Sequence, residues 1–204
     1  MEKTLRKVSS FKEMKDEEYR YWQSISPEER FAAGHELSVE SYRNYGYSAD
    51  GRELKTVARA FNTHNVKYLV VGGYAVFVHA QPRATKDLDI LIESSPTNAI
   101  ATYKALADFG APLADFKIED FADGQTIARF GNPPICVDIL QKIDGVEFGA
   151  VYANSEELQI DGDLPARYIS AEDFITNKLA SGRLQDLADV EAVRQAQAAK
   201  KNYS

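Results

Sequence analysis

Two aspartates, Asp87 and Asp89, interrupt the apolar run "TKDLDILIE". If that run is a strand, successive side chains alternate between its faces. The two carboxylates then share one face while Leu88, Ile90 and Ile92 take the other. Neighbouring carboxylates repel each other and resist burial, so something must hold them. Lys86 and Arg83 could do so structurally, and an isolated D-x-D is more often a cap or an ion-pair partner than a metal ligand. A second run, "ICVDIL", repeats the oddity with Asp138 between apolar residues. If its strand neighbours the first, three carboxylates converge on one face with no His or Cys beside them. Such a set is a hard oxygen site, suited to Mg²⁺ or Mn²⁺ rather than zinc. It can hold two ions that clamp an in-line phosphoryl displacement.

A glycine pair, Gly72-Gly73, lies upstream between a β-rich run and "YAVFVHA". Glycines there let backbone N–H groups approach a phosphate at a helix N-terminus, although an isolated pair also marks an ordinary tight turn. No G-x-G-x-x-G and no G-K-[ST] occurs, so neither a dinucleotide fold nor a P-loop is supported. The order is Gly72-Gly73, then twelve residues from Ala75 to Lys86, then Asp87-x-Asp89 and a later strand with Asp138. This arrangement resembles the nucleotidyltransferase fold of the DNA polymerase beta superfamily. The run "GGYAVFVHAQPRATKDLDILI" is most similar to small bacterial nucleotidyltransferases, among them abortive-infection toxins. The resemblance covers roughly residues 53 to 195.

By that resemblance, Asp87 and Asp89 would bind both metals, and Asp138 would complete the ion that activates the attacking hydroxyl. The Gly72-Gly73 turn would hold nucleotide phosphates. Arg83 and Thr85 resemble the R-x-T that precedes the acids in this subgroup, with Arg83 either on phosphate or balancing Asp87. Lys178 would reach the triphosphate from the C-terminal helices. Arg183 is either a second such cation or an i, i+3 partner of Asp186. Asp186 and Asp189 read as structural partners. One position departs from the family: many members carry serine after the two glycines, where this chain has Tyr74.

These residues need elements to carry them. Leu54, Val57, Ala58 and Phe61 fall at amphipathic helical spacing, and "VKYLVV" reads as a strand ended by the glycines. Ser95-Pro96 starts a helix through Phe109, stopped by Gly110 and Pro112. "TIARFG" and "ICVDILQ" flank Asn132-Pro133-Pro134 as a hairpin. After Asp144-Gly145 the reading is irregular structure and two short strands, "ELQI" and "ARYIS". Ser170 with Asp173 caps a helix, and Gly182 separates it from a last helix beginning near Leu184. Helices and strands mix without strict alternation, which predicts an α+β (mixed α/β) domain, a small mixed sheet flanked by helices.

Upstream, Ser26-Pro27-Glu28-Glu29 combines an N-cap, a proline at the first helical position and a capping-box glutamate, so a helix should run from Pro27 to Tyr45. Gly46, Ser48, Asp50 and Gly51 mark a boundary near residue 50. Residues 1–50 read as a helical appendage, loosely ordered up to about residue 18. It packs on the main domain, residues 51–204, or on a protein partner, with Tyr19, Tyr21 and Trp22 as anchors. The module resembles one in small bacterial proteins.

The bulk composition sets the remaining bounds. With 44% hydrophobic and 27% charged residues the chain is of globular type, and one cysteine excludes an internal disulfide or a cysteine zinc cluster. Cys136 reads as a small buried hydrophobe, and His35, His64 and His79 are too scattered for a zinc site. A net charge of −7 opposes broad nucleic-acid binding. Neither a membrane span nor a signal peptide is evident, so a cytoplasmic protein is expected. The resemblance implies a Mg²⁺-dependent enzyme moving a nucleoside monophosphate from an NTP to an acceptor hydroxyl, on a tRNA, a protein or a small molecule. A toxin–antitoxin or phage-defence role goes with it. The alternative is a nucleotide-sensing or partner-binding module of the same fold. A nuclease using these acids would lack its usual histidines.

Overall fold

In a computed structural model, which describes residues 10–44, 46, 53–132, 135–161 and 163–203, helices cover a six-stranded mixed sheet. Helix α1 spans Phe11–Ser24, α2 Pro27–Asn44 and α3 Glu53–Thr63. Strand β1 (Tyr68–Val70) leads straight into α4 (Gly72–His79), followed by β2 (Asp87–Ile92) and α5 (Pro96–Phe109). The hairpin β3 (Ala128–Asn132) and β4 (Ile135–Leu140) comes next. Then follow α6 (Phe148–Ala153), β5 (Glu156–Asp161) and β6 (Leu164–Tyr168), and finally α7 (Ala171–Ser181) and α8 (Leu184–Tyr203).

The sheet order is β3-β4-β2-β1-β6-β5. β2 lies antiparallel to β1 and parallel to β4, and β4 is antiparallel to β3. Tyr68 pairs with Ile92, and the Phe61 ring of α3 meets the Tyr68 ring edge-on at 5.3 Å between centroids. The Ile90/Ile92 face of β2 therefore lies under α3, which leaves the opposite face to Asp87 and Asp89. Among the described residues, no helix is long and apolar enough to cross a membrane.

Local signals explain most boundaries. The Ser26 hydroxyl accepts from the Glu29 N–H while the Glu29 carboxylate accepts from the Ser26 N–H, the reciprocal capping expected there. Ser95 and Ser170 cap α5 and α7, and Gly110 and Gly182 end them in the left-handed region. Residues 11–18, read as part of a loosely ordered start, belong to α1, which Ser10 caps and which packs along α8. Residues 1–9, Tyr45, the break near residue 50 and Pro133-Pro134 lie outside the described residues. The short helix α6 has no counterpart in the sequence reading; at six residues it is too brief to show a period.

Of the three expected anchors, Tyr21 is 58% exposed while Tyr19 and Trp22 are half-buried, and α2 supplies a further docking face. Phe31 is buried against the rings of Tyr74, Phe77 and Tyr168 at centroid distances of 5.9, 6.0 and 5.6 Å. Gly34 packs so closely that a methyl there would lie 2.4 Å from the Phe77 ring. Arg30, also buried, donates to the carbonyls of Val78, Trp22 and Ile25, tying the α1–α2 turn to α4.

Candidate active site

The carboxylates meet through strand register. Parallel pairing of β2 with β4 sets Asp89 beside Asp138 and Asp87 beside Cys136, so all three acids point from one face. The glycine pair then closes over them. The Val71 N–H donates to the Asp89 carbonyl, which places the start of α4 directly against the acid strand. Gly72 has φ +60°, and a Cβ on it would fall 1.9 Å from Asp89 Oδ2. A Cβ on Gly73 would fall 2.1 Å from Thr85 Oγ1. Both glycines are therefore required by close approach to the acid segment, whatever else their N–H groups bind.

Six of the sequence-selected residues line one cleft of about 230 Å³: Gly73, Arg83, Thr85, Asp87, Asp89 and Lys178. Gly72 sits behind Asp89, and Asp138 stands at the side of the cleft, buried at 6% exposure. A larger cavity of about 890 Å³ lies past the far end of β2 and β4, between Leu91, Gln141, Phe148 and Thr176. It holds none of the converging acids, so the chemistry is placed in the smaller cleft.

Three of the four cations that line the cleft, Arg83, Lys178 and Arg183, are already engaged. Arg83 forms a two-point ion pair with Asp189, Nε to Oδ1 at 2.8 Å and Nη2 to Oδ2 at 2.9 Å, rather than balancing Asp87. Lys178 is buried with its ammonium 2.6 Å from Asp186 Oδ1 and 3.7 Å from Asp189 Oδ2. Arg183 reaches Asp186 at 2.6 Å, the i, i+3 pair that was one of its two readings, and it also lines the cleft. Asp186 and Asp189 are thus the buried anchors of a cationic rim.

Two participants escaped the sequence reading. Arg129 on β3 pairs in register with Asp138 and grips it at both oxygens, Nε to Oδ1 at 2.6 Å and Nη2 to Oδ2 at 2.5 Å. The same guanidinium lies 3.6 Å from Asp87. The signal was present, since "IARF" and "VDI" place opposite charges on facing strands of one hairpin, but using it required the register. The other participant is α2. Ser38 Oγ accepts from the Thr85 N–H at 3.1 Å, and the Tyr42 hydroxyl donates to the Thr85 carbonyl. Burial, with Asp87 nearby, pushes the Tyr42 hydroxyl up to about 12, so it stays a donor. Tyr74 points away from the cleft into α2, its hydroxyl 3.3 Å from His35 Nδ1.

The electrostatics single out Asp89. Burial, reinforced by Asp138 and Asp87, raises its carboxyl to about 6, and Asp87 is raised for the same leading reason. Asp87 has Arg129 as a neighbour and Asp138 is gripped by it; Asp89 has no hydrogen-bond or ion-pair partner among the described residues. An unpartnered carboxylate beside a second one, all oxygen donors, fits a hard divalent cation, which Asp87 and Asp89 would hold. The third acid is not free to join them. Among the described residues no three acidic, His or Cys side chains are placed to share an ion, and Arg129 holds both oxygens of Asp138. Cys136 is a buried free thiol, as its sequence context suggested.

Residues 52–198 match a protein family described as "Nucleotidyltransferase of unknown function (DUF6036)". No curated protein matches the chain. The family match begins after α2 and takes in every residue of the cleft.

Proposed function

From a chain that belongs to this nucleotidyltransferase family, we propose a Mg²⁺- or Mn²⁺-dependent enzyme that moves a nucleoside monophosphate from an NTP to an acceptor hydroxyl. The bond between the acceptor oxygen and the α-phosphorus forms as the bond from that phosphorus to the bridging oxygen breaks. Pyrophosphate leaves with the electron pair, and the hydroxyl proton passes to solvent or a carboxylate. The observation that carries this reading is Asp89, a carboxylate in the cleft beside Asp87 that has no ion-pair partner among the described residues.

Asp87 and Asp89 would hold the metal, with Asp138 as third ligand for a second ion. The chemistry such ions supply is neutralisation of phosphate charge and activation of the attacking hydroxyl. The N-terminal turn of α4 at Gly72-Gly73 presents backbone N–H groups to the triphosphate. Arg83 and Lys178 border the same space; their links to Asp189 and Asp186 fix where their positive charge stands. Thr85, pinned at both its N–H and its carbonyl by α2, holds the segment entering β2 in place. Tyr74 docks α2 instead of contacting phosphate, so phosphate binding rests on the backbone and the cations. Acceptors compatible with this chemistry are a tRNA end, a protein hydroxyl or a small molecule. The likeness to abortive-infection enzymes extends the proposal to a toxin–antitoxin or phage-defence role.

A second reading, a nucleotide-sensing module without turnover, draws on the Arg129 grip that keeps Asp138 from the other acids. Pyrophosphate release separates the two. With an NTP, Mg²⁺ and total RNA or cell lysate, the enzyme should release pyrophosphate, and Asp87→Ala and Asp138→Ala should each lower release more than about a hundredfold. A wild-type rate no higher than that of both variants, with every NTP, would leave the sensing reading.

A further inference from the structure

The guanidinium of Arg129 stands against two of the three acids. It engages both oxygens of Asp138 and stands 3.6 Å from Asp87. The two partners differ in mobility of surroundings: the Asp138 side chain is 9% exposed, whereas that of Arg129 is 57% exposed. A buried carboxylate is fixed in place, while an exposed guanidinium can swing into water at little desolvation cost.

We propose that Arg129 stands in for a divalent cation, and that an ion bound by Asp87 and Asp89 recruits Asp138 only by displacing this guanidinium. The proposal rests on the metal-dependent reading above. Two arguments support it. First, both Asp138 oxygens are taken by Arg129, so an ion and the guanidinium compete for the same lone pairs. Second, a dication beside Asp87 would stand close to a positive charge already 3.6 Å from that carboxylate, and like charges in a partly buried site repel strongly. A triphosphate arriving with the ion offers the released guanidinium a new anionic partner, so the exchange replaces one charge-assisted pair by another. Arg129 is thus a positioning residue, which keeps Asp138 ordered when no metal is bound and delays completion of the site until one is.

The test uses the full chain and Mn²⁺, with free aqueous Mn²⁺ followed by electron paramagnetic resonance. If the grip is formed in nine of ten metal-free molecules, Arg129→Gln should bind Mn²⁺ about tenfold more tightly than wild type. Lys86→Gln, which removes an exposed charge near Asp87, serves as the electrostatic control and should change affinity by less than about threefold. In wild type, the Arg129 Nε–H resonance should be protected from exchange without metal and lose that protection when Mg²⁺ saturates the site. This second readout needs no variant to fold. Arg129→Gln binding no tighter than wild type, or an Nε–H still protected at saturating Mg²⁺, overturns the displacement while leaving the metal reading intact. If neither wild type nor Arg129→Gln binds Mn²⁺ at all, the metal reading itself fails and this proposal with it.

Discussion

A half-buried carboxylate with no ion-pair partner opposes folding wherever it is ionised, and among the described residues Asp89 is in that position. Its carboxyl is raised to about 6, chiefly by burial, so the folded state holds the proton more tightly than the unfolded state does. The penalty is therefore absent at low pH, grows as pH rises from the unfolded carboxyl range, and is complete above about 6. Asp89→Asn should then stabilise the metal-free protein at neutral pH by roughly 1–3 kcal/mol while abolishing transfer. Urea denaturation in a chelator checks this; a destabilised variant would mean that Asp89 already has its partner. Gly72→Ala should act in the opposite direction, since it places a side chain in the left-handed region and a methyl 1.9 Å from Asp89 Oδ2. Its expected cost is about 1–3 kcal/mol in thermal or urea unfolding, with transfer lost as Asp89 is pushed aside.

At the scale of elements, the α7–α8 corner is organised by Asp186. Burial works to raise its carboxyl, but hydrogen bonds from Arg183 and Lys178 outweigh that and pull it down to about 2. A depressed carboxyl contributes stability above its unfolded value near 4 and loses it as pH falls toward 2. Wild-type unfolding midpoints should drop across that window. Asp186→Asn should flatten the drop and cost about 3–5 kcal/mol at neutral pH, because it leaves Lys178 buried without its closest counter-charge. The α2 clamp makes a separate prediction. Tyr42→Phe leaves the Thr85 carbonyl without its donor, a loss of about 1 kcal/mol, yet transfer should fall further than stability does because the segment entering β2 is loosened. Elements with their own start and stop residues, such as α2, α5 and α7, were legible in the sequence. So was the alternation that put Asp87 and Asp89 on one face. Arg129 was not, because its meaning depends on hairpin register across Pro133-Pro134, and a shift of one residue would turn it away from Asp138.

At the scale of the whole molecule, the N-terminal helices are joined to the region that contains the acids. The family match covers residues 52–198, yet α2 contributes Phe31 to the shared core and Ser38 and Tyr42 to the segment before β2. Tyr74, which stands where many members of the resembled superfamily carry serine, is where that joint is made. No local periodicity could have shown this: the contacts link residues 39 or more positions apart, and nothing in the spacing marks Phe31 as the partner of Tyr74. Phe31→Ala should therefore cost about 3–5 kcal/mol, like loss of any buried core ring. Chemical denaturation should show one cooperative transition for both parts; a separate early transition of α1 and α2 would contradict the joint.

If the acid face governs nucleotidyl transfer, the position of the transferred label reveals it. The protein is incubated with Mg²⁺, cell lysate or total RNA, and an NTP carrying radioactive phosphorus at either the α- or the γ-phosphate. Only α-label should become attached to the acceptor, γ-label should leave as pyrophosphate, and Asp89→Asn should attach neither. Attachment of γ-label, or equal α-labelling by wild type and Asp89→Asn, would contradict it.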